Sequence, residues 1–204
     1  MVFAAGGCLL EGIRRRWVLP VYGAALAVSG ALLAPLAMPV LPPASFVQHY
    51  GFLTGAGNGG AGQSTSGALP QYLGDRFGWR GMAATVSRVY TALPAADRAR
   101  ACVFTENYGE AGALDLYRAS EPLPPAISGH NSYYLWGPGA CSGRVLITVG
   151  IPRADLARGY RSVARAATIR CDYCMPEEND VPVYVARDPV ESVAALWPTT
   201  RHYN

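Results

Sequence analysis

"ACVFTENYGEAGALDLYRAS", residues 101–120, decides the fold. An apolar run over 101–105 breaks at a polar, glycine-interrupted turn, and apolar residues then recur at helical spacing over 109–117. This is the order of a strand, a tight loop and a helix, the opening unit of an α/β domain. A helix that starts after such a turn presents free backbone N–H groups and the positive end of its dipole, which suits an anion. Here Glu106 and Glu110 bring negative charge to the same turn, and no Lys or Arg lies in the loop, so a phosphate meets repulsion. A neutral, hydroxyl-rich group such as a sugar is the easier ligand, met by Asn107, Tyr108 and Glu110. A capped helix start with no ligand accounts for the same residues equally well.

Downstream the alternation continues. "PAISGHNSYYLWGPG" (125–139) reads as a short strand and an aromatic loop, and "RVLITVGI" (144–151) as a strand. "PRADLARGY" reads as a short helix, "RSVARAATIRC" and "VPVYVAR" as strands, and "PVESVAALW" as a last helix begun by Pro189. Upstream, residues 77–93 place Met82, Val86, Val89 and Leu93 on one helical face, and Pro94 ends the run. Strand–helix alternation predicts a small α/β domain over 69–204 with a mostly parallel sheet covered on its faces.

The N-terminal part has another texture. No Asp, Glu, Lys or Arg occurs between Trp17 and Gly74, whereas Arg14, Arg15 and Arg16 stand just before. Residues 17–41 are long and apolar enough for a transmembrane helix, with Trp17 and Tyr22 near one interface and Gly23, Ala27, Gly30 and Ala34 as a small-residue stripe. The arginines predict a cytoplasmic N-terminus and a single pass, leaving the C-terminal domain outside the cytoplasm, at the cell membrane. A cleaved signal peptide, a twin-arginine signal and a buried soluble helix are the competing readings; the run is long for the first two and, with Ser29 alone, has fewer polar residues than the third usually shows. Residues 1–16 read as a cytoplasmic basic segment or the remnant of a preceding span, with Cys8 a packing residue. Residues 42–68 read as a Gly/Ser-rich linker. Gly55, Gly57 and Gly60 form a G-x-G-x-x-G, but Gln, Ser, Thr and Leu69-Pro70 follow instead of a helix, so no dinucleotide site is expected.

Net charge is +3, which the arginine triplet alone supplies, so no nucleic-acid partner is expected. His130 and Asn131 share a segment with Tyr133, Tyr134 and Trp136; these aromatics fit either a sugar-stacking surface or a core. The five cysteines are too few for a scaffold. A Cys171–Cys174 or Cys102–Cys141 disulfide is open outside the cytoplasm, and the scattered histidines and single C-x-x-C predict no metal site. No G-x-S-x-G elbow occurs, and Asp155, Asp172, Glu177 and Glu178 read as isolated surface charges.

"LPQYLGDRFGWRGMAATVSRVYTALP", "ENYGEAGALDLY", "LPPAISGHNSYYLWGPG" and "CMPEENDVPVYVARDP…LWP" together resemble the C-terminal part of bacterial family 39-like membrane glycosyltransferases. These are relatives of protein O-mannosyltransferases and lipid A aminoarabinose transferases. The resemblance implies a multi-span enzyme that moves a sugar from a polyprenyl-phosphate donor to an acceptor outside the cytoplasm. It places the catalytic carboxylate in an N-terminal external loop that this sequence lacks. No catalytic residue and no cofactor is therefore assigned. The expectation is a fragment, truncated gene or split subunit partnered by the bilayer and a multi-span transferase subunit. The competing reading is a membrane-anchored binding or assembly domain without transferase activity.

Overall fold

The computed structural model describes residues 15–54 and 67–203 and falls into two units that divide between Leu53 and Thr54. In the first, α1 (Val18–Ala37) is 20 residues long and carries no formal charge. At 1.5 Å per residue it reaches about 30 Å, long and apolar enough to cross a membrane. Pro35 falls in its last turn. The region expected to be a plain linker over 42–68 instead begins with a second helix, α2 (Pro43–Thr54), whose proline occupies the first helical position, where its missing N–H is not needed. The Tyr50 hydroxyl donates to the Leu32 carbonyl at 3.1 Å, tying α2 to α1. The G-x-G-x-x-G stretch lies outside the described residues, as do residues 1–14 with Cys8 and Arg14.

The second unit is built on five strands: β1 (Ala101–Thr105), β2 (Ala126–Ser128), β3 (Val145–Val149), β4 (Tyr160–Ile169) and β5 (Val181–Pro189). They lie in the order β2-β1-β3-β5-β4. β1 pairs parallel with both β2 and β3, whereas β5 pairs antiparallel with both β3 and β4. The expected mostly parallel sheet is therefore mixed. Four strands point the same way, but β5 inserts between β3 and β4 running opposite. Hydrophobic pattern reports burial and not pairing direction, which is why β4 and β5 read as two more strands of one kind.

The central strand β3 is buried at every position, and the edge strand β4 is mostly exposed and carries Arg161 and Arg165, charges that blunt an open edge. Two helices, α3 (Trp79–Ala92) and α4 (Tyr108–Tyr117), cover one face. Met82, Val86, Ala111 and Leu114 pack there on Val103, Ile147, Val149 and Val183. Truncating the fully buried Leu114 to Ala removes about 2–5 kcal/mol of this packing. On the other face, Cys102, Leu146, Tyr160 and Ala186 form a smaller cluster beside Ile127, Val193 and Trp197.

Two local expectations change. The aromatic segment is a short helix, α5 (Asn131–Trp136), and the 153–159 segment is α6 (Arg153–Gly159) as its pattern implied. Pro189 ends β5 instead of opening a helix; the last helical turn, Val193–Leu196, is capped by the Ser192 side chain, which accepts from the Ala195 N–H.

Candidate functional site

The chain passes from β1 to β2 on one side and returns to β3 on the other. The carboxyl ends of β1 and β3 thus form a switch point, the place where open α/β sheets leave a crevice for ligands. Glu106 follows β1 there, and its N–H donates to the Val149 carbonyl of β3 at 3.1 Å. Asn107 caps α4: its side chain accepts from the Glu110 N–H at 2.9 Å, while Glu110 Oε2 accepts from the Asn107 N–H at 3.1 Å. This reciprocal box explains why Asn-x-x-Glu opens the helix. Opposite it Gly150 adopts φ +78°, and a Cβ there would sit 2.7 Å from Glu106 Oε2 and 3.4 Å from Glu110 Oε1. Both carboxyls thus flank one glycine that leaves them room.

A third carboxyl arrives from a distant part of the sequence. Glu178 ends the turn Pro176–Glu178, in the segment between β4 and β5, and bonds the Asn107 side chain. Burial pushes Glu110, only 2% exposed, up to about 8; the Asn107 N–H opposes this, and the charges of Glu178 and Glu106 reinforce it. Burial also raises Glu178 to about 7, opposed by Asn107 and reinforced by Glu177, Asp75 and Glu106. At neutral pH Glu110 is therefore a protonated donor beneath the exposed Glu106. Among the described residues no arginine pairs with any of the three.

Aromatic and imidazole rings form one wall. The Tyr108 N–H donates to His130 Nδ1 at 3.4 Å, and the Tyr108 ring meets the His130 ring edge-on with centroids 5.0 Å apart. His130 stacks on His202 at 4.7 Å, and His202 Nε2 lies 3.0 Å from the Glu106 carbonyl. Asn131, at φ +51°, places Nδ2 2.9 Å from His130 Nε2. Asn107, Tyr108, Glu110, His130 and Asn131 thus share one neighbourhood. Tyr134 lies flat on Trp197, with Arg201 over its ring, and the exposed Trp136 packs on Tyr133. Neither belongs to the carboxyl cluster.

Three members were not singled out from sequence. Glu106 was read only as a charge that repels phosphate. Glu178 was read as an isolated surface charge, a reading corrected by its half-buried place beside Asn107. His202 carried no local signal at all. Of the cysteines, Cys102 and Cys141 are disulfide-bonded with Cα atoms 5.7 Å apart, whereas Cys171 and Cys174 are free thiols. Among the described residues no three His, Cys, Asp or Glu side chains converge to hold a metal ion. Chemically, the cluster offers one buried acid, two further carboxyls, an amide and flat ring faces: hydrogen-bond donors and acceptors for hydroxyl groups.

No protein-family model, no curated protein and no solved structure matches the chain.

Proposed function

We propose that the chain is an extracytoplasmic sugar-binding domain held at a membrane by α1, with its N-terminus in the cytoplasm. It serves as the non-catalytic C-terminal part of a glycosyltransferase that draws on a polyprenyl-phosphate-linked donor. The observation that carries the binding reading is the switch-point cluster. Glu106, Asn107, protonated Glu110 and Glu178 present several hydroxyl partners with no arginine among them, which favours a neutral polyol over a phosphate. The Cys102–Cys141 disulfide is the form expected of an oxidising compartment. The transferase part of the reading rests on the sequence strings at 69–94, 106–117, 123–139, 174–189 and 196–198, and the membrane part on the length and composition of α1.

The test takes the full chain in lipid nanodiscs and measures binding of methyl glycosides by saturation-transfer NMR at pH 6.5. Binding that weakens at least tenfold in Glu110→Gln and Glu178→Gln supports the site. Absence of binding, or binding indifferent to both changes, refutes it. Mild-detergent capture from the native membrane then tests the assembly. A co-purifying multi-span protein with an acidic external loop supports the transferase role. A chain that binds sugars but is recovered alone is a membrane-anchored binding module instead.

A further inference from the structure

Cys171 and Cys174 sit in the segment that joins β4 to β5, the same segment that carries Glu178 to the carboxyl cluster. The Cys174 N–H donates to Cys171 Sγ at 3.2 Å, and the Cys174 thiol donates to the Cys171 carbonyl at 3.4 Å. The segment is pinned at both ends. The Cys171 N–H donates to Asn179 Oδ1 at 2.9 Å, and Arg170 pairs with Asp180 at 3.0 Å. Gly78, at φ +91°, presses on the pair: a Cβ there would lie 3.3 Å from Cys171 Sγ and from Cys174 Cβ. Cys171 is half-buried, whereas Cys174 is 6% exposed. The buried Met175 follows, then the turn that ends in Glu178. One thiol is thus reachable and amide-bonded, the other is stored behind it, and a carboxyl of the candidate site lies four positions on. None of this depends on what the carboxyl cluster binds.

We propose that Cys171 and Cys174 form a thiol–disulfide exchange site that is oxidised by a low-molecular-weight disulfide. The thiolate of Cys171 attacks one sulfur of the incoming disulfide. A mixed disulfide forms on Cys171 and the first small thiolate leaves. Cys174 gives its proton to solvent and attacks Cys171 Sγ; the Cys171–Cys174 bond forms and the second thiolate leaves. Two cysteine thiols are oxidised and one disulfide is reduced to two thiols. The order follows from access, since the half-buried sulfur meets the reagent and the buried one resolves it. Burial pushes the Cys174 thiol up, and the hydrogen bond and charge of Cys171 and the charge of Glu178 push it further. Capping Cys171 as a mixed disulfide removes its share, which eases attack by the buried Cys174 sulfur.

The experiment incubates the full chain in nanodiscs with oxidised glutathione, quenches with acid at timed intervals, alkylates and maps cysteines by mass spectrometry. The expected product is a Cys171–Cys174 disulfide with Cys102–Cys141 intact. Cys174→Ser should trap one glutathione on Cys171, and Cys171→Ser should leave Cys174 unmodified. Thiols at 171 and 174 that stay fully alkylatable, or a Cys174→Ser chain that takes up no glutathione, overturn the exchange site.

Discussion

Replacing Glu110 by Gln should flatten the pH dependence of the domain's stability. Burial holds this carboxyl protonated up to about 8, against an ordinary value of 4.5. Between those values the folded chain keeps a proton that the unfolded chain has released. The sign is that of a raised acid: its contribution is fully favourable below 4.5 and is lost as pH climbs towards 8. Each pH unit inside the window costs roughly 1.4 kcal/mol per proton, so about 2.5 kcal/mol disappears between pH 5 and 7 and about 1.4 more between pH 7 and 9. Glu178 titrates in the same window, so parent curves report the pair. Gln can still accept from the Asn107 N–H, which keeps the helix start while deleting the charge. The assay is urea unfolding of the full chain in nanodiscs, followed by tryptophan fluorescence from pH 5 to 9, with the exposed Glu191→Gln as control. Glu110→Gln should lose about 2 kcal/mol less than the parent between pH 5 and 7. A slope unchanged from the parent would refute the argument that this carboxyl holds the proton.

Two further outcomes are expected. Gly150→Ala, with φ +78° and a Cβ 2.7 Å from Glu106 Oε2, should lose about 2–3 kcal/mol in urea unfolding, whereas Gly137→Ala, at φ +74° with nothing within 4 Å, should lose about 1 kcal/mol. Equal losses would show that Glu106 is not held against the glycine. Removing the Cys102–Cys141 bond by the paired Ala substitutions releases a constraint across a sequence separation of 39 and should cost about 4 kcal/mol. Parent chain in excess reductant should then unfold at the same urea midpoint as the variant, and a parent midpoint indifferent to reductant would sink this one.

Much of the fold was readable because its signals are local. Val145–Val149 is apolar except for Thr148, and Asn107 with Glu110 is a cap signature three residues apart. The direction and position of β5 were not readable, because the apolar run along 181–186 says which residues are buried and not which neighbour they bond. The site divides in the same way. Asn107, Tyr108 and Glu110 are sequence neighbours, and His130 with Asn131 follows the very next strand. Glu178 and His202 reach the same place only through the reversal after β4 and the return of the C-terminal segment, where Gly129 accepts from the His202 N–H at 3.2 Å. Trp136 is not decided by its sequence for a physical reason: an aromatic-rich run fits core, surface and ligand platform alike, and here the side chain is 69% exposed.

The insertion of β5 also makes the sheet depend on a non-local pairing. β3 and β4 succeed one another in the chain yet never pair, so the gap between them stays open until residues 181–189 enter it. While the gap is open, β3 presents an unpaired edge of fully buried-type residues, the kind of edge that invites another chain. β4 and β5 are chain neighbours that pair antiparallel, whereas β5 meets β3 only across the intervening segment, a non-local pairing of the kind that slows folding. Until that pairing forms, the β3 edge stays open, and the carboxyl cluster that collects Glu178 takes shape only as that edge disappears.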